Sequence, residues 1–157
     1  MSERSVTHAT FRIERFYDFP PATVFAAYAD PTSRRRWFVE GEGWEIESCE
    51  LNFREGASEH STFRFRGGPL IRNDTTYLDV VENQRFIFAY AMVIEGSRIS
   101  TSLGTVELIP EGKGTRHVYT EQGAYLGGFD NAAQREEGCR QLYEALAREL
   151  EQQRKAA

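Results

Sequence analysis

The stretch from Pro20 to Phe38, taken with the helical pattern that ends the chain, constrains the fold most. An alternating segment, Thr10 to Tyr17, precedes it and carries Phe11, Ile13, Arg15 and Tyr17 on one face, which is the period of a strand. Pro20-Pro21 stops that strand, and Pro21 suits the first position of a helix. Val24, Phe25 and Tyr28 then share a helical face, and Asp30 before Pro31 predicts a cap for a second short helix ending at Trp37-Phe38.

Six strand-like segments follow: Cys49 to Phe53, His60 to Arg66, Thr75 to Val81, Phe86 to Met92, Ile99 to Leu108 and Thr115 to Gln122. Turn residues such as Gly67-Gly68-Pro69, Glu95-Gly96 and Gly112-Lys113-Gly114 separate them, so an antiparallel meander is expected. Asp130 is placed to cap a final helix. There Cys139, Leu142, Tyr143, Leu146 and Leu150 form an apolar stripe at helical spacing. Gly138 interrupts that helix at a cost of about 1 kcal/mol relative to alanine. It reads either as close helix–sheet packing or as space left for a ligand. The predicted fold is α+β: a curved antiparallel sheet wrapped around a long C-terminal helix, with two short helices after the first strand.

The chain has 157 residues, enough for one domain with a substantial core, and the expectation is a single domain over 1–157. A net charge of -5 argues against nucleic acid as a partner. No apolar run is long enough to span a bilayer, and Met1-Ser2-Glu3-Arg4 opens no apolar signal core, so a cytoplasmic location is expected. Cys49 and Cys139 are too few for a disulfide framework and read as small buried residues.

Phe19-Pro20-Pro21-Ala22-Thr23-Val24-Phe25, Asp30-Pro31 and Arg36-Trp37-Phe38 resemble the opening of the activator-of-Hsp90-ATPase-like (AHSA1-like) family. That family lies within the START/Bet v1-like (SRPBCC) superfamily. Phe53-Arg54-Glu55-Gly56, Gly114-Thr115-Arg116, Thr120 to Leu126 and Arg135-Glu136-Glu137-Gly138 extend the likeness over about Ala9 to Leu150. Gly56-Ala57 and Gly138-Cys139 depart from the family's usual glycine pair and Gly-Trp or Gly-Thr. The resemblance implies the helix-grip fold. It implies little about activity, because one fold hosts many functions.

Aromatic residues are the main candidates for a binding wall. Phe86, Phe88, Tyr90 and Met92 alternate on one strand and Phe63 and Phe65 on another, with Phe53, Trp37, Trp44, Tyr77, Tyr119, Tyr125 and Phe129 completing the set. Each ring alone reads as plain core, but together they suit a cavity for a molecule with one polar end. Arg15 and Glu121 lie on apolar faces of the first and last strands. A buried charge needs a partner, so these two are expected to pair, as a structural bridge or as an anchor for a ligand. The candidate binding residues are therefore Arg15, Trp37, Phe53, Phe63, Tyr77, Phe88, Tyr90, Met92, Glu121, Tyr125 and Phe129.

His8, His60 and His117 show no metal-ligand spacing, and neither a nucleophile elbow nor a phosphate loop is present. No metal, cofactor or catalytic residue is assigned. Arg34-Arg35-Arg36 reads as a solvated face, with an anionic partner surface as the sharper alternative. The favoured function is binding of a small, largely hydrophobic molecule, aromatic ones included, between sheet and helix. Membrane insertion is not expected, and a homodimer is left open. Two alternatives stand beside it. One is an enzyme of the polyketide cyclase/aromatase kind with Glu121, Tyr90 or His60 moving the proton. The other is a protein-interaction module like an Hsp90 co-chaperone.

Overall fold

The computed structural model of the protein describes residues 5–128 and 131–157. Among them one antiparallel sheet contains β1 (Val6–Tyr17), β2 (Trp44–Glu50), β3 (Ser58–Phe65), β4 (Ile71–Val81), β5 (Arg85–Ile94), β6 (Ser97–Glu111) and β7 (Gly114–Leu126). The order across the sheet is β1-β7-β6-β5-β4-β3-β2. The strands after the first form a meander, while β1 returns to pair with the last. Between β1 and β2 stand α1 (Pro21–Ala29) and α2 (Pro31–Arg34), which runs on into a π-helical turn over Arg35–Val39. The long α3 (Ala132–Ala156) closes the chain. This is the expected helix-grip fold.

Local chemistry explains the boundaries. Pro21 occupies the first turn of α1, where its missing N–H costs nothing. The Asp30 side chain accepts from the Thr32 N–H at 3.0 Å and caps α2. Asp130, the expected cap of α3, lies outside the described residues. The cap seen is Asn131, which accepts from the Gln134 N–H at 2.9 Å. Register shifts at Ile46/Ser48, Tyr77/Asp79 and Met92/Val93 add the bend that irregular pairing gives a sheet.

One strand was misplaced by pattern alone. β2 covers Trp44–Glu50 rather than Cys49 to Phe53. Leu51, Asn52 and Phe53 lie outside the strand ladders, and Phe53 turns its ring into the core against Tyr77 and Phe86, with ring centroids 4.9 Å apart in both cases. Cys49 and Cys139 are not joined in a disulfide, and each is half-buried.

The core lies between one end of the sheet and α3. Phe11, Ile13 and Tyr17 of β1, Val24, Phe25 and Tyr28 of α1, Val106, Leu108 and Tyr119 of the sheet, and Tyr143, Leu146 and Leu150 of α3 pack together. Burying each large apolar side chain stabilises by roughly 1.5–3 kcal/mol.

Candidate functional site

The sheet and α3 do not close on each other along their whole length. Between them lies a cavity of about 570 Å³, within the range of small-molecule sites. Phe88, Tyr90 and Met92 of β5 form one wall, with Tyr77 of β4 and Phe63 of β3 beside them. Trp37 and Phe38 of the π-turn form a second wall, and Gly138, Cys139 and Leu142 of α3 form the roof.

Two glycines shape this space. A Cβ on Gly104 would sit 2.5 Å from the Phe88 ring, so the bare backbone lets that ring lie flat against the neighbouring strand. A Cβ on Gly138 would meet nothing within 4 Å. Of the two readings of Gly138, close packing is therefore wrong, and open space is what its backbone borders.

Polar groups gather in two buried clusters flanking the rings. In the first, Arg34 of α2 donates from Nη1 and Nη2 to the Glu59 carboxylate at 3.1 and 2.7 Å. The Tyr77 hydroxyl donates to the same carboxylate at 2.9 Å and the Asn52 N–H at 3.0 Å. The guanidinium also lies over the Phe38 ring, 4.2 Å from its centroid, a favourable cation–π position. Burial pushes the Tyr77 phenol well up.

In the second cluster Glu121 is wholly buried. It accepts from Tyr90 at 2.7 Å, Tyr119 at 2.5 Å, Ser102 at 3.1 Å and Tyr125 at 3.5 Å. Arg135 of α3 approaches it to 3.5 Å. Arg135 also donates to the Tyr90 oxygen at 2.8 Å and to Ser100 at 2.7 Å. Burial raises the phenols of Tyr90 and Tyr119 well above their ordinary value.

Deeper still, the Tyr28 hydroxyl meets His117 Nε2 at 2.8 Å, and Tyr143 packs its ring on the imidazole with centroids 4.7 Å apart. Burial holds His117 neutral, with its pKa pushed down to about 3.

Six of the candidate residues line the cavity: Trp37, Phe63, Tyr77, Phe88, Tyr90 and Met92. Phe53 lies behind that wall in the core. Glu121 and Tyr125 are buried and do not line the cavity; Glu121 is hydrogen-bonded to both Tyr90 and Tyr125. Phe129 falls outside the described residues.

Arg15 does not pair with Glu121. It donates to Glu144 of α3 at 2.5 Å and borders a separate groove between β1 and α3. Register explains the error. β1 and β7 are antiparallel neighbours, but Arg15 lies opposite His117 and Phe11 lies opposite Glu121, four residues or roughly 13 Å away along the strand. Glu121 needed a cation, and α3 supplies it. His60 is exposed and bound to Asp74 at 2.8 Å, and it is not among the residues that line the cavity. Nor is Arg34-Arg35-Arg36 a uniformly solvated face: Arg34 is 3% exposed, and Arg36 reaches back to buried Glu149.

Arg34, Glu59, Tyr28, Tyr143 and Arg135 were missed as site residues. Two of them had a signal. Arg135 is four residues before Cys139, so it belongs to the same helical stripe. Glu59 alternates with Ser61 and Phe63 on the inward face of β3, which calls for a cation as surely as Glu121 does. Nothing in a run of three arginines marks which one turns in.

Among the described residues no group of three or more His, Cys, Asp or Glu could hold a metal ion, and no helix is long and apolar enough to cross a membrane.

Solved structures repeat this architecture. The Mll3558 protein from Rhizobium loti is 49% identical, with 93% of this chain and 99% of that chain covered and a TM-score of 0.87. A protein from Rhizobium leguminosarum is 37% identical over 94% of this chain and 97% of that one, with a TM-score of 0.90. The AHSA1-like protein from Aeromonas hydrophila, 17% identical over 91% and 92% with a TM-score of 0.67, shares the fold. No curated protein matches the chain. The profile of the activator of Hsp90 ATPase homolog 1-like proteins matches residues 18–152. The chain thus belongs to the AHSA1-like family of the SRPBCC superfamily, whose architecture is that of a ligand-binding fold.

Proposed function

We propose that this chain, acting as one domain, binds a small, largely hydrophobic and aromatic molecule between the sheet and α3, without catalysis. The observation that carries the reading is the cavity of about 570 Å³ walled by Trp37, Phe63, Tyr77, Phe88, Tyr90 and Met92 under an open roof at Gly138. Proteins close-pack their interiors, so space of this size beside aromatic rings is retained against a cost in dispersion energy. The binding residues under this proposal are those six, with Glu121 and Tyr125 setting the polar environment from behind.

Native mass spectrometry of the purified protein should show a co-purified small molecule. An apolar dye should bind the folded protein saturably and be displaced by a hydrophobic competitor. Cys139→Trp should fill the roof and cut dye binding by at least about tenfold while the protein stays folded. Undiminished dye binding in that folded variant would place the dye elsewhere and sink the proposal.

A further inference from the structure

We infer that the cavity selects a neutral aromatic molecule, such as a phenol or an ester, and rejects the corresponding carboxylate. The inference rests on the cavity being the binding site, and it follows from how the inner guanidinium groups and the phenols of Tyr77 and Tyr90 on its walls are already committed.

Two inner guanidinium groups border the cavity, Arg34 and Arg135, and a third, Arg148, borders it from the exposed rim. A cationic wall would ordinarily invite an anion, but each of the two inner guanidinium groups faces a buried carboxylate of its own. Arg34 spends both terminal nitrogens on Glu59. Arg135 lies against Glu121 and donates to the Tyr90 oxygen and Ser100. The Nε–H of Arg34 has no partner, but it is fully covered, so cavity contents do not reach it.

The phenols are committed too. Tyr77 donates its proton to Glu59 and Tyr90 donates to Glu121. A carboxylate only accepts, so both protons point away from the cavity. Thr75 likewise donates to Asn73 at 2.9 Å. Each of these two guanidinium groups is thus matched by a buried carboxylate.

An incoming carboxylate would lose its hydration among Phe88, Trp37 and Met92 and meet no uncommitted buried guanidinium or phenol proton. It would also lie near two existing carboxylates. Desolvating an unpaired charge is very costly. A neutral hydroxyl or ester loses far less on entering, and a hydroxyl can donate to the lone pairs the phenol oxygens retain. The charged residues at the mouth, Glu40, Glu42 and Arg148, are exposed and solvated, where an ion pair is worth only about 0–1 kcal/mol.

Three probes of one shape test this at pH 7 by dye displacement: 2-naphthol, methyl 2-naphthoate and 2-naphthoate. The two neutral probes should bind at least about tenfold more tightly than the anion, a gap of about 1.4 kcal/mol. Naphthoate binding as tightly as the others would overturn the inference and leave the proposed cavity intact. An ester binding as weakly as the acid would also overturn it, because shape and not charge would then discriminate. Failure of all three probes, and of naphthalene itself, would remove both the inference and the proposed function.

Discussion

The two halves of α3 touch different worlds. Its C-terminal half buries Leu146 and Leu150 completely against β1 and α1, and even Glu149 is enclosed there, accepting from Ser33, Arg36 and Gln153. Its N-terminal half turns Gly138, Cys139 and Leu142 to the cavity. One helix therefore serves chiefly as core beyond Tyr143 and chiefly as roof before it, with Ala145 and Arg148 also reaching the cavity edge. Stability is concentrated in the first role and space in the second, so substitutions one or two turns apart should report different properties.

The largest effect is expected in the packed half. Leu146→Ala removes a side chain with no exposed surface, and should cost about 2–5 kcal/mol in urea unfolding. A loss under about 1 kcal/mol would mean that the two halves do not differ.

Acid should come next. His117 lies under the pivot at Tyr143, and its folded pKa, about 3, is below the ordinary 6.5. The unfolded chain takes up a proton below pH 6.5 while the folded protein does not. Stability is thus complete above pH 6.5 and falls as pH drops towards 3, by about 1.4 kcal/mol per unit at most. Glu149 and Asp74, whose pKa values are lowered in the fold, lose stability in the same direction, but only below the ordinary carboxylate range. The decline between pH 6.5 and 4.5 is therefore the histidine's own, and His117→Gln should flatten it.

Smaller effects belong to the roof. Leu142→Ala should cost about 1 kcal/mol or less, because the side chain is only half-buried and already borders space. It should change dye affinity more than it changes the urea midpoint. Smallest of all, and opposite in sign, Gly138→Ala should stabilise by about 0.4–1 kcal/mol, because its Cβ meets nothing. A destabilised Gly138→Ala would show that the roof is closer to the sheet than it stands here.

Most of the architecture was readable from alternation and punctuation. Pro21, Asp30 and the turn glycines mark where elements stop, and strand period alone assigns Phe88, Tyr90 and Met92 to one face. What alternation cannot supply is register. It put Arg15 and Glu121 on inward faces correctly, then paired them across an offset of four residues. β2 was misread for a related reason. Trp44, Ile46 and Ser48 alternate with glutamates on an edge strand, a weaker signal than Cys49, Leu51 and Phe53. Yet Phe53 reaches the core from a loop. Arg34 was illegible because the direction of a residue in a one-turn helix depends on the π-turn that follows.

The placement of β1 has a kinetic meaning. Every pairing from β2 to β7 joins strands adjacent in sequence, by short turns, and such local contacts form early. β1 pairs with residues on the order of a hundred positions away, so the loop-closure entropy for that contact must be met before any of it is rewarded. The first strand of this sheet to be synthesised is thus the last to find its neighbour. Until it does, β7 is an open edge, and Phe11, Ile13 and Tyr17 are missing from the core that α3 completes.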